Sequence, residues 1–160
     1  MNGRKKPRQP RWPARVDSMR LAIVSAACLT DAETAALLEP LHLALAAARQ
    51  ARATDDEWSN LAMACAVAQA IERQRVVCGL AEHLQSAHSA LQAIAARSHT
   101  PQGWRPTPLY FHEIDALTTF VDLHHFQIKQ LAAAEYKRAV HAAIKEVQQL
   151  TATGLCLEAA

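Results

Sequence analysis

Six side chains able to hold a metal or move a proton fall between positions 112 and 125: His112, Glu113, Asp115, Asp122, His124 and His125. Asp122 and His125, three apart, share one face of a helix, and Asp115 lies two turns earlier. A carboxylate and an imidazole on adjacent turns are the raw material of a metal site or an acid–base couple. Such sites in helical proteins also draw on a matching motif from a second helix, as in a pair of Glu-x-x-His motifs, or on His-Glu-x-x-His, and neither such a pair nor His-Glu-x-x-His occurs. His83, His88 and His141 supply no counterpart. The expectation is therefore a solvated acidic edge with one internal histidine and no metal. His124 and Gln127 are the expected buried polar groups, fixing helix register.

Nucleophilic chemistry fares no better. Serines, cysteines and histidines are present, but there is no GxSxG elbow, and four scattered glycines make no phosphate cradle. Cys28, Cys65, Cys78 and Cys156 lack CxxC or CxxH spacing, which points to reduced, buried thiols in a cytoplasmic protein. No catalytic residue and no cofactor are assigned, and the chain is read as a non-enzyme.

The remaining chemistry is ionic. Residues 1–20 hold seven cations (Arg4, Lys5, Lys6, Arg8, Arg11, Arg15, Arg20) against Asp17 alone, whereas the rest of the chain holds ten basic and fourteen acidic residues. Three prolines in residues 1–15 disfavour a helix there, so this segment reads as an extended arm. Phosphates are the natural partner of Arg4, Lys5, Lys6, Arg8 and Arg11, and Trp12 is able to stack on an unpaired base. The competing readings are an acidic protein partner and a solubilising tail. A helix-turn-helix is disfavoured: Lys137, Arg138 and Lys145 are offset by Glu135 and Glu146, and no glycine-bearing turn precedes them. Ser25-Ala26-Ala27-Cys28 has a faint likeness to a lipoprotein cleavage site, but the long Pro-rich leader with Trp12 and Asp17 argues against export. No apolar run spans a bilayer.

The elements that would position these groups are helical, because alanine is abundant and alternating strand patterns are absent. The fold class expected is all-α, an antiparallel bundle of five or six helices with a basic, extended N-terminal arm. Its divisions are an arm at 1–16, a helical domain at 17–150 and a frayed tail at 151–160. The central helix starts at a capping box, Thr54 with Glu57, and carries Trp58, Leu61, Ala62, Cys65, Ala68 and Ile71 at steps of three and four. A first helix is expected over 17–27, with Met19, Ile23 and Ala26 or Ala27 inward. A second box, Thr30 with Glu33, opens a helix to about residue 52 with Leu37, Leu38, Leu41, Leu45 and Ala48 inward; Pro40 kinks it rather than ending it. After a turn near Gln74, a fourth helix covers about 76–97, with Val77, Leu80, Leu84, Ala87, Leu91, Ile94 and Ala95 inward. Residues 98–108 form a loop in which Trp104 plugs one end of the bundle. Thr107 and Pro108 then start a helix to about 131, with Phe111, Ile114, Leu117, Val121 and Ile128 inward. The last helix covers about 133–149, either separate from the one before or continuous with it, with Tyr136, Val140, Ala143, Ile144 and Val147 inward. A homodimer through an Ala-rich face is also expected.

Leu29-Thr30, Pro40, Ala53-Thr54 leading to Trp58, Asn60-Leu61-Ala62, Gly103-Trp104, and Asp122-Leu123-His124 with Gln127 together resemble a group of small helical proteins. Those proteins occur in phages, plasmids and integrated elements of proteobacteria, and some are automatically labelled transcriptional regulators. The resemblance covers most of residues 29–150 and implies a regulatory or binding role. The chain departs from the pattern in lacking a glycine just before Ala53-Thr54.

Overall fold

The computed structural model describes residues 26–157, with side chains to Leu150, together with Met19 and Ile23. Five helices occur among them: α1 (Asp31–Arg49), α2 (Asp55–Arg73), α3 (Ala81–Ser98), α4 (Phe111–Gln130) and α5 (Ala133–Leu157). The arm and most of the helix expected over 17–27 lie outside the described residues. Met19, Ile23 and Ala26 are helical but exposed, against the expectation that they face inward. They precede Ala27 and Cys28, where the backbone is held against the junction of α4 and α5.

α2 is the hub and packs on each of the other four helices. Its start follows from the capping box: Thr54 N donates to Glu57 Oε2 at 2.7 Å and Glu57 N to Thr54 Oγ1 at 3.2 Å. Asp55, Asp56 and Glu57 place negative charge against the positive end of the helix dipole. Leu61, Cys65 and Ala68 enter the main core with Leu41, Leu84, Leu117 and Phe120. Val67, Ala70 and Ile71 enter a second cluster with Leu131, Ala139 and Ala143. Being buried on two sides is possible because so many of its residues are alanine.

Helix α1 opens on the other expected box, with Thr30 N to Glu33 Oε2 at 2.9 Å and Glu33 N to Thr30 Oγ1 at 3.2 Å. It runs unbroken through Pro40, with Leu38, Leu41, Leu45 and Ala48 buried in register. Pro40 and Ala36, the residue whose carbonyl the proline leaves without its helical donor, are on the exposed side, so that carbonyl is not left buried. Leu37 is also exposed rather than inward. Ala51, just past α1, has φ 53, the left-handed value that helix ends usually give to glycine.

α3 starts at Ala81, later than the expected residue 76. Arg75 (φ 55) and Gly79 (φ 98) turn the chain twice in left-handed geometry, which a helix from Val76 cannot contain. The Glu72 carboxylate holds this loop, accepting from Gly79 N at 2.7 Å and Leu80 N at 3.2 Å. Val77 and Leu80 are only half-buried as a result.

The stretch expected as a loop contains a small antiparallel hairpin, β1 (His99–Thr100) with β2 (Gly103–Trp104), pairing His99 with Trp104 and Thr100 with Gly103. Gly103 takes φ 109 at its turn. α4 begins at Phe111 rather than Pro108, because the Glu113 carboxylate accepts from Tyr110 N at 2.8 Å and fixes the start there. Thr107 instead bonds the Ser98 hydroxyl at 2.9 Å. The new start turns Phe111 outward, where it is 86% exposed.

Helices α4 and α5 are separate. Leu131 leaves the helix in extended geometry, Ala132 N donates to Glu135 Oε2 at 2.9 Å, and Ala133 N donates to Ala27 O at 3.0 Å. A carboxylate three residues on and a carbonyl from the segment before α1 thus stop a helix at a point where the local sequence has no glycine or proline. α5 runs on through residues 151–157, expected as a frayed tail, to Leu157. Ala139 and Ala143 are its buried residues, while Ile144 and Val147, expected inward, are exposed. No helix among the described residues is long and apolar enough to cross a membrane.

Candidate functional site

The arm residues Arg4, Lys5, Lys6, Arg8, Arg11 and Trp12 lie outside the described residues. Among the described residues, Cys28 bridges Ala132 and Ala27 accepts from Ala133.

The cluster between 112 and 125 resolves into groups with different fates. Glu113, read from sequence as part of a solvated edge, is fully buried. Arg97 at the end of α3 grips it in a fork, with Nη1 to Oε1 at 2.8 Å and Nη2 to Oε2 at 2.7 Å. Burial pushes the Glu113 carboxyl up, but Arg97 and the Tyr110 amide outweigh it and hold it below the usual carboxylate range. The same hydrogen bonds raise Arg97. A carboxylate engaged by three donors has no proton to give and little capacity to accept one, so it organises the α3–α4 corner rather than acting as an acid or base. The Arg97 guanidinium also lies 4.5 Å from the Tyr110 ring centre, and Tyr110 stacks on His112 at 5.8 Å and 12°. Tyr110, Phe111 and His112 are exposed, so this corner carries an aromatic and cationic surface.

His124 and Gln127 are buried, as expected from sequence. Gln127 Nε2 donates to Ala68 O on α2 at 3.3 Å. Its Oε1 then faces His124 Nδ1 at 3.2 Å, so the neutral ring carries its proton on Nδ1. Burial pushes His124 down to about 4, with the Gln127 bond acting weakly the other way. The pair ties α4 to the central helix and keeps the ring uncharged.

Trp104 covers one end of the bundle, donating from Nε1 to Ala53 O at 2.8 Å and tilting against Trp58 at 5.6 Å. Trp58 donates to Leu91 O at 3.2 Å, and His99 meets both rings edge-on. With both indole N–H groups engaged, the two tryptophans are structural. Cys65 is buried and its thiol is pushed up to about 12, but Cys28 and Cys78 are exposed, against the expectation of burial. Cys78 sits in the loop held by Glu72, and Cys28 in the entry segment, so neither is covered by a helix. Among the described residues no three of His, Cys, Asp or Glu converge as a metal site would require.

Sequence reading missed the Arg97–Glu113 pair and the exposed Tyr110–Phe111 surface. The partners of the pair are sixteen positions apart, across a hairpin that was not foreseen. The available signal was Glu113 three residues after Tyr110, the second half of a capping box whose first half is an unusual residue. Comparison with protein-family models, curated proteins and solved structures finds no match to this chain.

Proposed function

We propose that the chain is a non-enzymatic binding or regulatory module of a phage or mobile element, in which a basic arm contacts nucleic acid and a bundle of five or six helices carries it. The carrying observation is the segregation of charge, with seven cations and one acid in residues 1–20 and an excess of acid elsewhere. Arg4, Lys5, Lys6, Arg8 and Arg11 contact phosphates, Trp12 stacks on a base, and the protein works in the cytoplasm. A body with net negative charge gains nothing from approaching a polyanion, so the attraction resides in the arm. A gel shift of the full chain against one lacking residues 1–15, at low and high salt, tests this. The expected result is retention by the full chain that fades with salt and is lost on truncation; equal retention by both overturns it.

A second reading is favoured by the exposed Tyr110, Phe111 and His112 beside Arg97, a composition typical of protein-interface hot spots. In that reading a protein partner docks at the α3–α4 corner and the arm meets an acidic stretch of it. Capture of a protein that survives nuclease treatment and is abolished by Phe111→Ala supports this reading over the first.

A further inference from the structure

We propose that the recess lined by α1, α2, α4 and α5, with His124 at its floor, binds a neutral, ring-sized molecule that donates one hydrogen bond from an O–H or N–H group. The recess holds about 250 Å³. Leu41, Ala64, Val67 and Val140 line it, and the exposed side chains of Leu37 and Met63 stand at its mouth. Space is left there because α2 offers only the methyl group of Ala64 between Met63 and Val67.

His124 is what points to a ligand. Gln127 Nε2 donates to Ala68 O, so Gln127 Oε1 takes the proton carried by His124 Nδ1. His124 Nε2 is then a lone-pair acceptor, and it has no partner among the described residues. The residue is 2% exposed, yet no fully covered polar side-chain atom is left unpartnered, so Nε2 is where that exposure falls. The opening it meets is the recess that His124 lines. Burial keeps the ring neutral, pushed down to about 4, so Nε2 can accept at neutral pH. An acceptor among apolar walls gains from a donor what the walls cannot supply.

The lining fixes the class of molecule. No Asp, Glu, Lys or Arg lines the recess, so nothing there compensates a charged ligand. Benzene fits an apolar cavity of about 150 Å³ and drug-sized ligands begin at about 300 Å³. The volume between them suits one substituted ring or two fused rings. Leu41 belongs to the main core and Val67 to the second, so an occupant bridges the two and stabilises the body as its concentration rises. The site rests on the described helices and not on the arm, so the gel shift and the test below fail independently.

Phenol is the probe and toluene its control, since the two are of similar size and only phenol donates. An apolar recess alone favours toluene; an acceptor at its floor reverses the order. Titration of the full chain followed by proton–nitrogen spectra is expected to show phenol binding about five- to tenfold tighter than toluene. The amides that move are expected within 37–41, 60–67, 124 and 136–140, and the His124 Nε2 resonance is expected to shift as its lone pair is engaged. Ala64→Leu, which fills the recess and leaves the His124–Gln127 bond in place, is expected to abolish phenol binding with helix content unchanged by circular dichroism. His124→Phe is expected to take toluene at least as well as phenol. Phenol that binds no better than toluene, that still binds Ala64→Leu, or that leaves the Nε2 resonance unmoved overturns the proposal. Both the phenol–toluene order and the Nε2 resonance are read on the unaltered chain, so a variant that fails to fold does not leave the question open.

Discussion

His124 makes the fold sensitive to mild acid. Its folded value of about 4 lies below the ordinary 6.5, so as pH falls the unfolded chain takes up the proton first. The stability it contributes is complete above pH 6.5 and is lost between there and about 4, on the order of 3 kcal/mol in all. Denaturant midpoints across pH 4–7 are expected to drop for the native chain and to stay flatter for His124→Asn, whose amide can still donate to Gln127. Glu113 adds a lower step, since its depressed carboxyl stabilises above the usual carboxylate range and fails as pH passes below it. Arg97→Met strands that carboxylate in the core and is expected to cost about 3 kcal/mol, while adding Glu113→Met recovers much of the loss. A double variant no more stable than Arg97→Met would show that the charge is not what matters. His124 and Gln127 were legible in sequence because they share a turn of one helix. Glu113 was not, because burial there depends on an arginine that only the tertiary fold brings near.

At the scale of elements, two turns carry strain that substitution can relieve. Ala51 occupies left-handed geometry at a cost of about 1–2 kcal/mol for a residue with a Cβ. Ala51→Gly is expected to raise the melting temperature by a few degrees, corresponding to roughly 1 kcal/mol. Pro40 sits inside a continuous helix with its ring on the exposed face, so Pro40→Ala is expected to stabilise by about 1–3 kcal/mol. If either variant is destabilised instead, the local backbone is not as described. Helix starts at Thr30 and Thr54 were readable because both halves of each capping box lie within four residues. The starts of α3 and α4, and the gap before α5, were not. Each is fixed by a carboxylate (Glu72, Glu113, Glu135) reaching a backbone amide, and the residue at the cap is of a type that gives no warning. The hairpin at 99–104 had a usable sign in Thr-Pro-Gln-Gly, a sequence suited to a tight turn, which an all-helical expectation overlooked.

For the whole molecule, the expectation of a mostly helical chain is met, and the function proposed above rests on charge in residues outside those described. If the arm engages phosphates, the logarithm of the binding constant is expected to fall with the logarithm of salt concentration at about −0.9 per phosphate neutralised on duplex DNA. Replacing Lys5 and Lys6 with glutamine then makes the slope shallower by about two contacts, whereas Trp12→Ala leaves the slope intact and weakens single-strand binding.

The bonds from Ala27 and Cys28 to Ala132 and Ala133 decide where a pull on this segment is felt. A pull applied at Ala27 reaches the elbow between the last two helices before it reaches the opening turn of α1. The segment just before α1 is thus fastened to the far half of the chain, and cutting the chain back past Cys28 removes a brace on that elbow.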